Sequence, residues 1–364
     1  MTFDHRIALA ENARIILLQP AFLGDVVLST ALLESWHRAH PNHRLDMVVR
    51  KEAAGLLRDH PFLDKVHVWN RKGWGKYSRL MGLAEQVRAT QPELVINLHR
   101  YASMALLGRR VGAPQCVGFS EGTRWHAGNA RLEPHSWGDG RHETERNHAL
   151  VQDYIGDWNA KRDLPKLYPS ESDRAAASAF PKDALVLAPS SVWATKRWPA
   201  ERWSGLADEW VSSVQGSPVI LLGGPSDREM LEAVSQGCLK AKPLVVAGAL
   251  DLLGSAALMG QARAVVSNDS APLHMAGAMN VPVVGVFCST TTRFGFGPLP
   301  VMMQEGRAAV TEIKESALDC KPCGPHGHNQ CPMKHFRCGR DLDHKAVMAA
   351  LRSVSSPRPG SRTL

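Results

Sequence analysis

The chain has 364 residues, more than one hydrophobic core usually serves, so two domains are expected. Hydrophobic residues make up 44% and charged residues 21%, and no apolar run approaches the roughly 20 residues of a membrane span, which excludes a disordered chain and a helical integral membrane protein. The formal charge of +8 points to an anionic partner, whether nucleic acid, a phosphorylated substrate or an acidic membrane surface. Residues 1–13 lack the apolar centre of a signal peptide. The seven cysteines are expected to be reduced, which suits a cytoplasmic protein.

Residues 14–20, RIILLQP, predict a buried strand. After the loop AFLGD, residues 26–40 have helical spacing with Val26, Leu28, Leu32, Leu33 and Trp36 on the core face. Gly24 and Asp25 lie at this junction, where Asp25 is placed to cap the helix. Strands follow at 45–49, 66–69 and 94–98, with helices at 53–57 and 77–90, the second turning Leu80, Leu83, Ala84 and Val87 inward. Such alternation over short connections predicts a doubly wound parallel sheet in the first part of the chain. Residues 71–79, RKGWGKYSR, hold four basic residues and no acidic one, interleaved with Trp74 and Tyr77. That mixture suits an anionic lipid layer or another polyanion, and equally a solvated loop. Residues 122–147, rich in Gly, His, Arg and Trp without periodicity, read as a long functional loop. The polar stretch 161–183, with Pro165, Pro169 and Pro181, reads as a linker. The expected domains are 1–170 and 171–345, followed by a Ser, Arg and Pro tail at 353–364 that reads as disordered.

In the second domain, strands at 184–188, 219–222 and 243–247 lead into PSSVWATKRWP, GGPSDRE and GALDLLGSAALM. Residues 262–291 then form a complete unit of strand, Asn-Asp-Ser turn, helix and strand. Pro272 sits early in the helix, Asn280 and Pro282 stop it, and 281–287 is a second apolar run. These four junctions predict a second Rossmann-like sheet with its loops on one edge. A helix starting at Ser270 offers free N–H groups and a positive dipole end to a diphosphate, although the same residues also make a plain helix cap.

In order and at these separations, GDVVLSTALL at 24–33, TKRWP at 195–199, LLGGPSDRE at 221–229 and SNDSAPLHMAGAMNVPVVGVF at 267–287 resemble the heptosyltransferases, glycosyltransferase family nine. HETERN at 142–147 and CSTTTRFGFGPL at 288–299 look like segments of the same family, and the resemblance spans about 14–351. It implies a GT-B architecture, two Rossmann-like domains facing across a cleft. It also implies transfer of heptose from ADP-heptose to the lipopolysaccharide inner core, with inversion and without a required metal. Carried over, Asp25 matches the catalytic base and Lys196 the donor-phosphate lysine. Asp269, Ser270, Ala271 and His274 match the donor loop, and Gly248, within 247–250, lies where adenine is contacted. Gly24, Asp25, His142 and Arg146 fall on the acceptor side.

The residues themselves support part of this. A carboxylate at a strand-to-helix loop can take the acceptor's proton, while a helix N-terminus there would weaken it as a base. Lys196, the hydroxyls of Ser190, Ser191 and Thr195, and the helix end at Ser270 can stabilise a departing diphosphate. Gly223 and Gly224 permit close backbone approach to a ligand. One departure stands out: the family's loop usually has Gly after Asp-Ser or Asp-Thr, and here Ala271 and Pro272 remove an N–H donor.

Cys320, Cys323, Cys331 and Cys338 cluster within nineteen residues. Four thiolates suit a structural zinc, with free or redox-active thiols and a disulfide pair as the other possibilities. The resulting expectation is a cytoplasmic heptosyltransferase in peripheral contact with the inner face of the inner membrane, with no nucleic-acid partner. Another GT-B nucleotide-sugar transferase or a nucleotide-sugar epimerase is the alternative. A basic, zinc-containing nucleic-acid-binding protein is the remote one.

Overall fold

The computed structural model describes residues 8–71, 73–121, 126–159, 163–299, 310–312 and 318–355. Lys72 of the basic aromatic stretch, most of residues 1–13, part of the 122–147 loop, the start of the expected linker and the tail beyond 355 therefore lie outside the described residues. The chain divides into two compact units. The first takes the described residues of Met1–Ser136, Glu143–Asn159 and Asp163–Tyr168, and the second those of Trp137–His142, Ala160–Arg162 and Pro169–Leu364.

The first unit is a six-stranded sheet of β1 (Arg14–Leu18), β2 (Arg44–Arg50), β3 (Leu63–Trp69), β4 (Leu94–Asn97), β5 (Gln115–Phe119) and β6 (Ala130–Glu133). Their order is β3-β2-β1-β4-β5-β6 with every pairing parallel. β1 is central, Ile15 lying opposite Leu45 on one side and Leu94 on the other. Its residues Ile15 to Leu18 are fully buried, as an unbroken apolar run in a strand covered on both faces should be. The helices Leu23–Ala39, Lys76–Arg88 and Ala102–Val111 connect the strands, and the predicted face Leu80, Leu83, Ala84 and Val87 is buried.

The second unit repeats the plan with β7 (Leu185–Ala188), β8 (Val219–Gly223), β9 (Leu244–Ala247), β10 (Ala264–Asn268), β11 (Val283–Val286) and β12 (Val310–Glu312). The order β12-β11-β10-β7-β8-β9 is again all parallel, so both sheets have the Rossmann arrangement with a switch point between the first and fourth strands of each. Its core gathers Trp198, Trp203 and Trp210 with Leu187, Leu221 and, from the C-terminal helix His344–Ser355, Val347, Met348 and Leu351. Truncating such a buried side chain to alanine costs about 3–5 kcal/mol for a tryptophan.

Several expectations change. The stretch 122–147 contains β6 and the start of a helix, Glu143–Ala149. That helix buries Glu143, Arg146, Asn147 and His148, polar residues that apolar periodicity cannot detect. The stretch 161–183 contains the helix Glu171–Ala177, started by a capping box in which Ser170 and Asp173 exchange side-chain and backbone bonds. The segment at 53–57 is a 3₁₀ turn over Lys51–Leu57. Asp25 is not an N-cap: the helix begins at Leu23 with Phe22 as cap residue, which puts Asp25 in the first turn.

Candidate active site

In an open α/β sheet, ligands bind beyond the carboxyl ends of the strands at the switch point. In the second unit that place is formed by the ends of β7 and β10. Asn268, the last residue of β10 and fully buried, accepts from the Trp198 backbone N–H (3.1 Å) and donates its amide to the Pro189 carbonyl (2.5 Å), fixing the 189–198 loop against β10. This staple brings the Lys196 ammonium to 2.6 Å from Asp269 Oδ2, which also accepts from the Thr290 hydroxyl (2.6 Å). Both charged side chains are nearly buried, so each needs the other.

His274, on the helix Ala271–Ala278, is buried and lies in the field of these groups. Burial, then the His142 imidazole, hold its pKa down to about 4; Asp269 pulls the other way and Lys196 adds to the depression. It is therefore a neutral imidazole at pH 7. His142 belongs to this unit, and its Nε2–H donates to the Gly297 carbonyl at 3.0 Å. Ser270 is the N-cap residue of the helix, but its side chain makes no capping bond, and Pro272 removes one donor from the first turn. Ser190 Oγ is buried and has no hydrogen-bond partner among the described residues.

The remaining donor-side residues have structural duties. Thr195 Oγ1 accepts from the His328 N–H (2.8 Å) and from the Ser289 hydroxyl (2.9 Å), joining three segments. The Ser191 carbonyl accepts from the Arg197 guanidinium at 2.7 Å. Gly223 and Gly224 form a turn closed by Asp227, whose carboxylate accepts from the Gly224 N–H at 2.8 Å, and a Cβ on Gly223 would lie 2.9 Å from Asp227 Cβ. Gly248 has φ +70°, and its Cβ would fall 2.6 Å from Pro225. The β8 and β9 loops thus approach so closely that only glycine fits.

The Cys320–Cys338 segment packs onto this edge. The Lys321 ammonium donates to the Phe287 carbonyl (2.9 Å), the Cys323 N–H donates to the Ser289 carbonyl (2.9 Å), and a Cβ on Gly327 would lie 2.6 Å from Trp193 Cβ and 2.9 Å from Lys196 Cγ. The zinc expectation gains no support: among the described residues no group of three or more His, Cys, Asp or Glu side chains is arranged to hold a metal ion. Cys338 is built into the core, Cys331 Sγ accepts from the Phe336 N–H, and Cys323 Sγ donates to the Cys320 carbonyl. All seven cysteines are free thiols. Burial and the neighbouring sulfurs raise the pKa of Cys323, and that of Cys338 to about 11.

In the first unit the switch point lies between β1 and β4. Gly24 and Asp25, in the first turn of the helix that follows β1, are both partly buried. Gln19 Oε1 and Asn97 Nδ2, just past and at the strand ends, are buried without partners among the described residues. Asp25 lies in the field of Arg50, the last residue of β2. Burial, then Arg50, Arg100 and Arg71, hold the His99 pKa down to about 3, so the loops after β2, β3 and β4 bring cations around one neutral imidazole. Sequence reasoning missed this cluster, although each of its members stands within three residues of a strand's carboxyl end. Arg146 is buried against Glu143 at 3.1 Å, and His135 lies 3.0 Å from the same carboxylate oxygen.

The model of glycosyltransferase family 9 (heptosyltransferase) matches residues 80–323. Lipopolysaccharide heptosyltransferase 3 of Escherichia coli K12 is 26% identical, over 73% of this chain and 80% of that protein. A glycosyl transferase family 9 protein from Veillonella parvula superposes with a TM-score of 0.79 at 24% identity, covering 96% of this chain and 98% of the other. The ADP-heptose lps heptosyltransferase II of Escherichia coli superposes at 0.74 and 19% identity, covering 94% and 98%. The fold is of the GT-B type, and the chain belongs to glycosyltransferase family 9, the heptosyltransferases.

Proposed function

We propose that the protein moves heptose from ADP-heptose to a hydroxyl of the lipopolysaccharide inner core, with inversion at the anomeric carbon and without a required metal. One cluster supports this above all: at the switch point of the second sheet, Lys196, Asp269, the first turn of the Ala271–Ala278 helix and the unpartnered Ser190 hydroxyl converge at a strand edge. An ammonium, a helix N-terminus and a hydroxyl are the groups that take up the charge of a departing diphosphate. Relatives of this chain are named for lipopolysaccharide and for ADP-heptose. Gly248 is assigned to the backbone that meets adenine.

Asp25 is assigned the base. The acceptor oxygen bonds to the anomeric carbon as the bond from that carbon to the diphosphate oxygen breaks, ADP leaves, and the acceptor's proton passes to the Asp25 carboxylate. A single displacement of this kind inverts configuration. The cations Arg50, Arg71 and Arg100 suit an anionic acceptor, and Gly24, next to the base, is assigned to the acceptor side. Arg146, tied to Glu143, is a positioning residue for the 142–147 segment, with His142 held by Gly297.

The deciding experiment incubates the protein with ADP-heptose, other ADP-sugars and UDP-sugars, with a core acceptor and excess chelator, and reads product and anomeric configuration by NMR. Transfer of heptose with inversion at undiminished rate is expected. A preference for another nucleotide sugar would make it a different GT-B transferase, and conversion of the sugar nucleotide without acceptor would make it an epimerase.

A further inference from the structure

The exposed large aromatic side chains Phe22, Trp74, Tyr77 and Tyr101 follow β1, β3 and β4, so all belong to the carboxyl edge of the first sheet. Trp74 is 99% exposed and Tyr77 62%. Single exposed aliphatic residues need no explanation, but a fully solvated tryptophan on an edge that carries three other exposed aromatics does. The surrounding charge is of one sign: residues 65–84 contain five Lys or Arg and no Asp or Glu. The Lys76 ammonium lies 4.9 Å from the Tyr77 ring centroid, and the Arg50 guanidinium 5.5 Å from that of Phe22.

The turn that carries Trp74 is built to hold it out. Gly73 and Gly75 have φ of +79° and +76°, and the Arg79 guanidinium donates to the carbonyls of Asn70 (2.9 Å), Trp74 (2.6 Å) and Gly73 (3.3 Å). The tip therefore needs little ordering on contact. Its carbonyls are also satisfied from within, as a backbone must be where water is scarce. We propose that the 73–77 turn is an interfacial anchor that docks the first unit onto an anionic bilayer. Trp74 enters the boundary between headgroups and acyl chains, and Lys76 with its cationic neighbours meets lipid phosphates. Tryptophan and tyrosine prefer that boundary because each has an apolar body and a polar tip. Anchoring requires neither donor nor acceptor, so it stands or falls apart from the proposed transfer reaction.

The test is co-sedimentation of the full chain, without nucleotide, with vesicles of phosphatidylglycerol and phosphatidylethanolamine, and with phosphatidylcholine vesicles as control. Binding to the anionic vesicles alone is expected, weakening as salt rises. Trp74→Ala should lower partitioning about tenfold and Lys76→Gln about fivefold, with melting temperature and ADP binding at parental values. Parental vesicle binding by Trp74→Ala, or equal binding to both vesicle types, would overturn the anchor. So would a Trp74-dependent complex with random oligonucleotide, or a Trp74-dependent dimer, in protein that ignores vesicles.

Discussion

The two sheets share one strand order and one switch-point position, yet their carboxyl edges differ in chemistry. The first edge is open and cationic, with Arg50, Arg71 and Arg100 around a neutral His99, Asp25 nearby and aromatic side chains in solvent. The second is enclosed and balanced. Lys196 is matched by Asp269, His274 is neutral, hydroxyls lie buried, and a cysteine-rich strap closes over the loop. Topology chose where each site lies, and the loops decided what each can bind. An open cationic edge suits a large anionic acceptor, whereas a compensated pocket suits a small ligand whose charge must be met group by group.

The sharpest way to break this contrast is Asp25→Asn. If the first edge supplies the base, turnover should fall about 10²- to 10⁴-fold while ADP affinity and melting temperature stay at parental values. Near-parental transfer would remove Asp25 from the chemistry and leave the second edge acting alone. Next in size, Lys196→Ala should cost about 2–4 kcal/mol in transfer and weaken ADP binding. The substitution also leaves the buried Asp269 carboxylate facing the Thr290 hydroxyl without its ammonium, so Lys196→Arg should recover part of the binding if charge is what matters. Isothermal titration with ADP separates the two outcomes.

The smallest effect is on pH dependence and should touch neither edge. His60, buried near the amino end of β3, has its pKa held down to about 4 by burial, then by Lys166 and His37. Glu34 lies 3.7 Å away but is already engaged by Lys166 at 2.9 Å and by the Tyr168 hydroxyl at 2.6 Å. The unfolded chain takes up this proton near pH 6.5 and the folded chain only near 4, so the unfolded state binds more protons within that window. Stability is therefore full above the upper limit and falls on acidification, by about 1.4 kcal/mol per pH unit for one histidine. Urea unfolding at pH 7, 6 and 5 should show His60→Gln with the flatter slope. An unchanged slope would assign the acid sensitivity to His99 and His274, and so to the edges.

The sheets were legible wherever a strand is an unbroken apolar run, as in Ile15 to Leu18 and Leu185 to Ala188, because burial on both faces leaves no other composition. β5 and β6 escaped notice. QCVGF is short and interrupted by glycine, and ARLE is an edge strand only partly buried. The Glu143–Ala149 helix escaped for a different reason: its inward face carries Glu143 and Arg146, paired with each other and with His135 of the preceding segment on the same carboxylate, which looks like a polar loop until the partners are seen. At the candidate site, Lys196 and Asp269 stood out as loop residues after strands. Their direct pairing across 73 positions was not readable, because it depends on the Asn268 staple. The Arg50, Arg71 and Arg100 cluster was invisible for a similar reason, since residues far apart in order meet only once the sheet has set its strand neighbours.

The strap across the second edge also sets a timetable. Thr195 is bonded to His328 and the Trp198 indole to the Leu342 carbonyl, 133 and 144 positions later, whereas the first unit has all its segments by Tyr168. Domains fold as units during synthesis at roughly 5–20 residues per second, so the Lys196 loop closes roughly ten to thirty seconds after the first sheet's edge has emerged. For that interval the growing polypeptide carries a finished Trp74 turn and an unfinished Lys196 loop, so the proposed anchor is complete before the proposed donor site.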